Sequence, residues 1–142
     1  MPVLNMDSIY AVLMATVHAR YETRRSVSDA FAAVTRWEDH RVPLTSIRRT
    51  DAGFTARTGV GPLGFDDPMT IGHWEPPRSV ELHKTGQVIA GWARIRVDPT
   101  ESGSVVTWSE SVRLRGVPAW CDPLLRPPLR AMIRIILRRL LG

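Results

Sequence analysis

Residues 79–114 read SVELHKTGQVIAGWARIRVDPTESGSVVTWSESVRL, and the alternation in this stretch decides the fold. Val80 and Leu82 alternate with Glu81 and His83 until Thr85-Gly86 breaks the run. Gly91, Ala93, Ile95 and Val97 then alternate with Trp92, Arg94 and Arg96 up to Asp98-Pro99. Beyond Glu101-Ser102-Gly103, the residues Val106, Trp108, Glu110, Val112 and Leu114 alternate with Thr107, Ser109, Ser111 and Arg113. Period two places one set of each run on a core-facing side and the other on the opposite side. The short turn segments between runs predict antiparallel neighbours, here Ser79 to Lys84, Val88 to Val97 and Val105 to Leu114.

Upstream the same pattern continues. Runs at Thr45 to Thr50, Phe54 to Val60 and Met69 to Trp74 are separated by Asp51-Ala52-Gly53, Gly61-Pro62-Leu63-Gly64 and Glu75-Pro76-Pro77. Further back, residues 10–24 end in an alternating strand with Val17, Ala19, Tyr21 and Thr23 on one side. Ser26 stands three residues before Asp29 and ahead of Ala30, Phe31, Val34 and Trp37 at helical spacing, a capping-box-like start. Arg41-Val42-Pro43 restrains the chain away from helix, leaving room for two small helices that meet at Trp37. Downstream, Leu129, Met132, Ile133, Ile136, Leu137 and Leu140 fit the i, i+3, i+4 rule of an amphipathic helix. Pro127 and Pro128 suit its first turn, and Gly116 to Pro123 reads as the linker before it.

The expected fold is α+β: a seven-stranded curved antiparallel sheet wrapped around a long C-terminal helix, with two short helices after the first strand. The terminal helix is the one element long enough to cover the apolar face of such a sheet, and a twisted sheet curling around it leaves a tapered space. A length of 142 residues fits one domain, residues 1–142, and 44% hydrophobic with 23% charged residues fits a globular chain rather than a disordered one. Cys121 stands alone, which excludes an internal disulfide and a cysteine zinc cage and reads as a buried inert thiol. The apolar run Ile9–Val17 has no basic residue before it and is too short to span a bilayer, so a cytoplasmic location is expected.

Four stretches carry a family resemblance: Arg25-Ser26-Val27-Ser28-Asp29-Ala30-Phe31 leading to Trp37-Glu38-Asp39-His40; Gly59 to Met69 (GVGPLGFDDPM); Trp74-Glu75-Pro76-Pro77-Arg78; and Thr107-Trp108-Ser109-Glu110. With the element order, the chain resembles the START/Bet v 1-like (SRPBCC) superfamily, the helix-grip fold, and within it the bacterial polyketide cyclase/dehydrase type. The resemblance implies a deep, mostly apolar cavity under the long helix. Across the superfamily such cavities take lipids, sterols, polyketides, quinones and plant hormones, sometimes with catalysis. No residue set is common to all these activities, so none is carried over as a block.

Alternation supplies the candidate site instead. It turns Phe54, Met69, Ile71 and His73 toward the helix, together with Ile95, Trp108 and Glu110. Tyr21 and Trp37 on the first strand and helix, and Met132 and Ile136 on the last helix, complete the expected ligand-binding wall. Glu110 is the chemical oddity. A carboxylate in phase with Val106, Trp108 and Val112 must find a partner, hold its proton or sit at an opening. Glu110, His73 and Tyr21 are therefore the catalytic candidates for proton transfer at a carbonyl-bearing ligand. His18 and His83 fall on outer faces and His40 in a connection. With no HxxxH, HxH or His/Asp cluster, neither a metal site nor a cofactor is expected. The glycines at 59, 61 and 64 lie between two strands and form a hairpin connection rather than a phosphate cradle.

Lys84 is the only lysine beside eighteen arginines. After Asp122 there is no acid, while Arg126, Arg130, Arg134, Arg138 and Arg139 follow. The face formed by Arg130, Arg134 and Arg138 is solvated, or makes weak contact with an anionic membrane surface, with nucleic acid the weaker option. Three functions fit. The first is a monomer or homodimer that binds a hydrophobic or polyketide-like small molecule between sheet and helix, as a carrier or sensor. The second is a polyketide cyclase or dehydratase using cavity acid/base residues. The third is a peripheral membrane or RNA contact through the basic helix.

Overall fold

A computed structural model describes residues 15–40, 45–116 and 118–142. The expected features in residues 10–14 and at Arg41-Val42-Pro43, and most of the run Ile9–Val17, lie outside the described residues.

The elements follow the predicted order. Strand β1 (Ala15–Thr23) leads to helix α1 (Val27–Val34) and a 3-10 turn at Trp37–Asp39. Strands β2 (Thr45–Arg49), β3 (Gly53–Thr58), β4 (Phe65–Glu75), β5 (Ser79–Thr85), β6 (Ile89–Thr100) and β7 (Gly103–Leu114) follow, with a 3-10 turn at Gly61–Leu63. A last 3-10 turn, Ala119–Cys121, enters helix α2 (Asp122–Leu141). The seven strands form one antiparallel sheet in the order β1-β7-β6-β5-β4-β3-β2. Consecutive strands from β2 to β7 are neighbours, and β1 closes against β7. This is a helix-grip arrangement, a curled sheet around a C-terminal helix.

Local chemistry explains the starts and bends. Ser26 caps α1, its hydroxyl accepting the Asp29 amide at 3.1 Å. Gly91 sits on β6 with φ 144°, and a Cβ there would lie 1.9 Å from the Ser111 carbonyl oxygen, so only glycine lets β6 bend against β7 at this point. Helix α2 begins at Asp122, not after Pro127 and Pro128. The two prolines lie within it, and Pro123 rather than Pro127 occupies its first turn. The carbonyls that lose their donors to Pro127 and Pro128 belong to Pro123 and Leu124, both exposed and open to water, so the helix continues through the pair.

The core gathers Val17 and Ala19 of β1, Ala30, Phe31 and Val34 of α1, Ile95 and Val97 of β6, Val106 of β7, and Ile133, Leu137 and Leu141 of α2. Cys121 is half-buried at the entrance to α2, not fully buried. Among the described residues no helix is long and apolar enough to cross a membrane.

Candidate functional site

Between β2–β7 and α2 lies a pocket of about 240 Å3. The sheet contributes Ile47, Phe54, Ala56, Phe65, Met69, Leu82, Ile89, Ala93, Trp108 and Val112, and the helix Leu129, Met132 and Ile136. Thr45, Thr58, His40, Asp67, Lys84 and Glu110 supply the polar part of the lining.

The polar part is concentrated in one cluster. Register places it: Met69 of β4 pairs with Lys84 of β5, and Ala93 of β6 pairs with Glu110 of β7. Asp67 lies two residues before Met69 and so on the same face of β4. The Lys84 ammonium sits 2.8 Å from Asp67 Oδ2 and 3.1 Å from Glu110 Oε1, and 3.7 Å from the Met69 sulfur. Glu110 is 2% exposed, Lys84 7% and Asp67 7%. Burial alone would push the Lys84 ammonium down. The charges of Glu110 and Asp67, with their hydrogen bonds, outweigh it and hold the group above its ordinary range. Lys84 is therefore a cation throughout the neutral range, and the carboxyls of Asp67 and Glu110 are fixed around it.

The other carboxylate oxygens of this cluster, Asp67 Oδ1 and Glu110 Oε2, are buried without a hydrogen-bond partner among the described residues. The indole nitrogen of Trp108, on the same pocket wall, is buried and unpartnered as well. Native interiors rarely leave such groups orphaned.

His40 completes the lining. Its Nε2 lies 2.6 Å from the Val34 carbonyl oxygen, and its ring packs 5.3 Å from that of Trp37 and 5.5 Å from that of Trp108. A carbonyl partner requires Nε2 to carry the proton, so the neutral ring keeps its lone pair on Nδ1. Burial lowers its pKa to about 4, against the partial help of the Val34 carbonyl and the charges of Asp39 and Glu38. His40 is neutral at physiological pH.

Placed against the sequence-based expectations, Phe54, Met69, Trp108, Glu110, Met132 and Ile136 line the pocket. Trp37 and Ile95 belong to the packed core, and Tyr21 and Ile71 pack against it, outside the pocket lining. His73 is misassigned by simple alternation. The register of β4 against β5 shifts between Ile71 and His73, a bulge that turns His73 outward to face Glu75 Oε2 at 3.1 Å on the exposed surface. Gly72, inside an otherwise alternating run, is the sequence mark of that bulge. Neither His73 nor Tyr21 is among the residues that line this pocket with Glu110.

Alternation should have found Lys84, which is in phase with Val80 and Leu82 and is the chain's single lysine. Asp67 was hidden because β4 begins at Phe65, four residues ahead of the expected Met69. His40 carried no periodic signal. Of the five tryptophans, Trp108 lines the pocket, Trp37 stacks on Phe54 at 4.9 Å, and Trp74 meets Phe31 edge-on at 5.3 Å. Trp92 lies under the Arg94 guanidinium at 5.5 Å, and Trp120 is 75% exposed. Among the described residues no group of three or more His, Cys, Asp or Glu could hold a metal ion.

No protein-family profile matches the chain, and no curated protein does. Solved structures do. The di-domain ARO/CYC StfQ from the steffimycin biosynthetic pathway aligns with a TM-score of 0.71 at 14% identity, over 94% of this chain and 52% of its own. The chain thus spans about half the length of that protein. A START superfamily protein from Mycobacterium smegmatis aligns with a TM-score of 0.69 at 11% identity, over 88% of this chain and 96% of its own. The Aha1 dimer from Colwellia psychrerythraea gives 0.59 at 14% identity, over 90% of this chain and 97% of its own. At these identities the likeness is one of fold.

Proposed function

We propose that this chain, which has the START/Bet v 1-like helix-grip fold, binds a mostly apolar small molecule in the pocket between its curled sheet and α2, as a carrier or sensor. One observation carries the reading. The interior is closed around Ile95, Val97, Val106, Ile133 and Leu137, yet beside it about 240 Å3 is left open under aromatic and aliphatic walls. Interiors pack to crystal-like density, so a void of that size loses dispersion contacts that an occupant would restore. A concave, mainly apolar space with a few convergent polar groups is the usual form of a small-molecule site.

The test is titration with 1-methylnaphthalene, followed by methyl NMR, of the native chain and of Ala93→Leu. Ala93 is 1% exposed and lines the pocket, so a leucine there occupies the space itself. The native chain is expected to show shifts at Leu82, Met132 and Ile136, and the variant to show none while gaining about 1 kcal/mol of stability from the filled void. Equal binding by both chains would place the probe elsewhere.

A cyclase or dehydratase reading has its own support in the Asp67–Lys84–Glu110 cluster, which sets proton donors and acceptors against the pocket. In that reading Glu110 keeps the role expected of it, and Lys84 and Asp67 replace His73 and Tyr21. It is rejected if a linear triketone closes to a ring no faster with the protein than in buffer.

A further inference from the structure

We infer that the occupant of the pocket presents an ammonium group to Asp67 and Glu110, so that the site selects cationic amines and excludes carboxylates. This rests on the small-molecule reading above and adds the chemistry of the buried end. Lys84 has three N–H donors, and Asp67 Oδ2, Glu110 Oε1 and the Met69 sulfur lie within reach of them. No lysine donor remains for a ligand, so the one cation among the described residues of the lining cannot receive a ligand anion. Asp67 and Glu110 both line the pocket, and each keeps one buried carboxyl oxygen, Oδ1 and Oε2, without a hydrogen-bond partner among the described residues.

The charge count points the same way. Among the described residues of the lining, one ammonium between two carboxylates leaves a formal charge of minus one in an apolar space. His40 is neutral and cannot offset it. An ammonium supplies the missing positive charge and donors for both orphan oxygens, in charge-assisted hydrogen bonds, the strong kind in a low-dielectric site. Trp108 Nε1 remains as a single donor, suited to a carbonyl or ether oxygen elsewhere on the ligand.

The experiment compares four probes of one shape: 1-naphthylmethylamine, 1-naphthalenemethanol, 1-methylnaphthalene and 1-naphthoate, at pH 7 by calorimetry. The amine is expected to bind at least tenfold more tightly than the alcohol or the hydrocarbon, and naphthoate not measurably. Glu110→Gln removes a formal negative charge and should cut the preference for the amine over the alcohol about tenfold, with Asp67→Asn as the second variant should the first fail to fold. Ala93→Leu should abolish binding of all probes, which fixes the location. If hydrocarbon, alcohol and amine bind equally, the cluster holds its own proton and the inference falls while the pocket reading stands. Tight binding of naphthoate overturns it too. If none of the four binds, both fall together.

Discussion

Helix α2 carries two adjacent apolar stripes that meet opposite fates. Ile133, Leu137 and Leu141, spaced by four, are 0%, 1% and 5% exposed and are packed into the core with α1 and β1. Leu129, Met132 and Ile136, rotated around the same helix, face the open pocket. The sheet divides in the same way. Val80, Ile95, Val97 and Val106 close the packed end, whereas Leu82, Lys84, Ala93, Trp108 and Glu110 line the hollow one, often two residues further along the same strand. Both regions read identically as alternation, so patterning specifies which side is inside without specifying whether the inside is filled. Two features separate them. Phe31 and Val34 of α1 plug the packed end, and alanines at 56 and 93 leave room at the hollow end.

The largest effect is expected at Lys84. Replacing it in Lys84→Met leaves two buried carboxyls without their counter-charge, and the expected loss is about 4 kcal/mol of unfolding free energy, since removing one partner of a buried pair strands the other. Urea unfolding at pH 7 measures it. The triple change Lys84→Met, Asp67→Asn, Glu110→Gln should recover most of that loss, because no buried charge is then left over. A single Lys84→Met variant as stable as the native chain would mean that the cluster does not hold the hollow end together.

His40 gives the next effect and sets a pH window. Unfolded, it takes up a proton near 6.5; folded, only near about 4. Between those values the unfolded state binds more protons, so stability is full above about pH 6.5 and falls as pH is lowered toward about 4, by about 3 kcal/mol. His40→Gln can still donate to the Val34 carbonyl but does not titrate. Its unfolding free energy should vary less with pH across that interval, and an unchanged slope would remove His40 from the account.

The smallest effect separates the two stripes directly. Ile133→Ala leaves a cavity in closed packing and should cost about 3 kcal/mol, whereas Met132→Ala enlarges a space already open and should cost about 1 kcal/mol. Thermal or urea unfolding of the pair gives a difference of about 2 kcal/mol. Equal losses would show that the hollow end is filled in solution by rearrangement of its own side chains.

Much of the fold was legible because strand and helix periods are local properties. β5, β6 and β7 came from alternation between turns, and α1 from the Ser26 cap and the residues after it. The misses have specific causes. A bulge at Ile71 to His73 moves every later side chain of β4 to the other face, and alternation carried past it assigns His73 wrongly. The early start of β4 hid Asp67, and the unbroken helix through Pro127 and Pro128 placed the start of α2 too late. Glu110 and the inward turn of Lys84 were readable from phase alone; that the two pair with each other and with Asp67 was not, since the three come from different strands, distant in sequence.

The order of elements, the antiparallel pairing and the inward turn of Glu110 were determined by the sequence itself, because hydrogen-bond geometry and the two-residue repeat act over neighbouring positions. The pocket, the pairing of Asp67 and Glu110 through Lys84, and the neutral buried state of His40 were decided only in three dimensions. Volume left unfilled and charge left unbalanced are sums over side chains from separate strands and a helix, and those sums exist only once the sheet has curled.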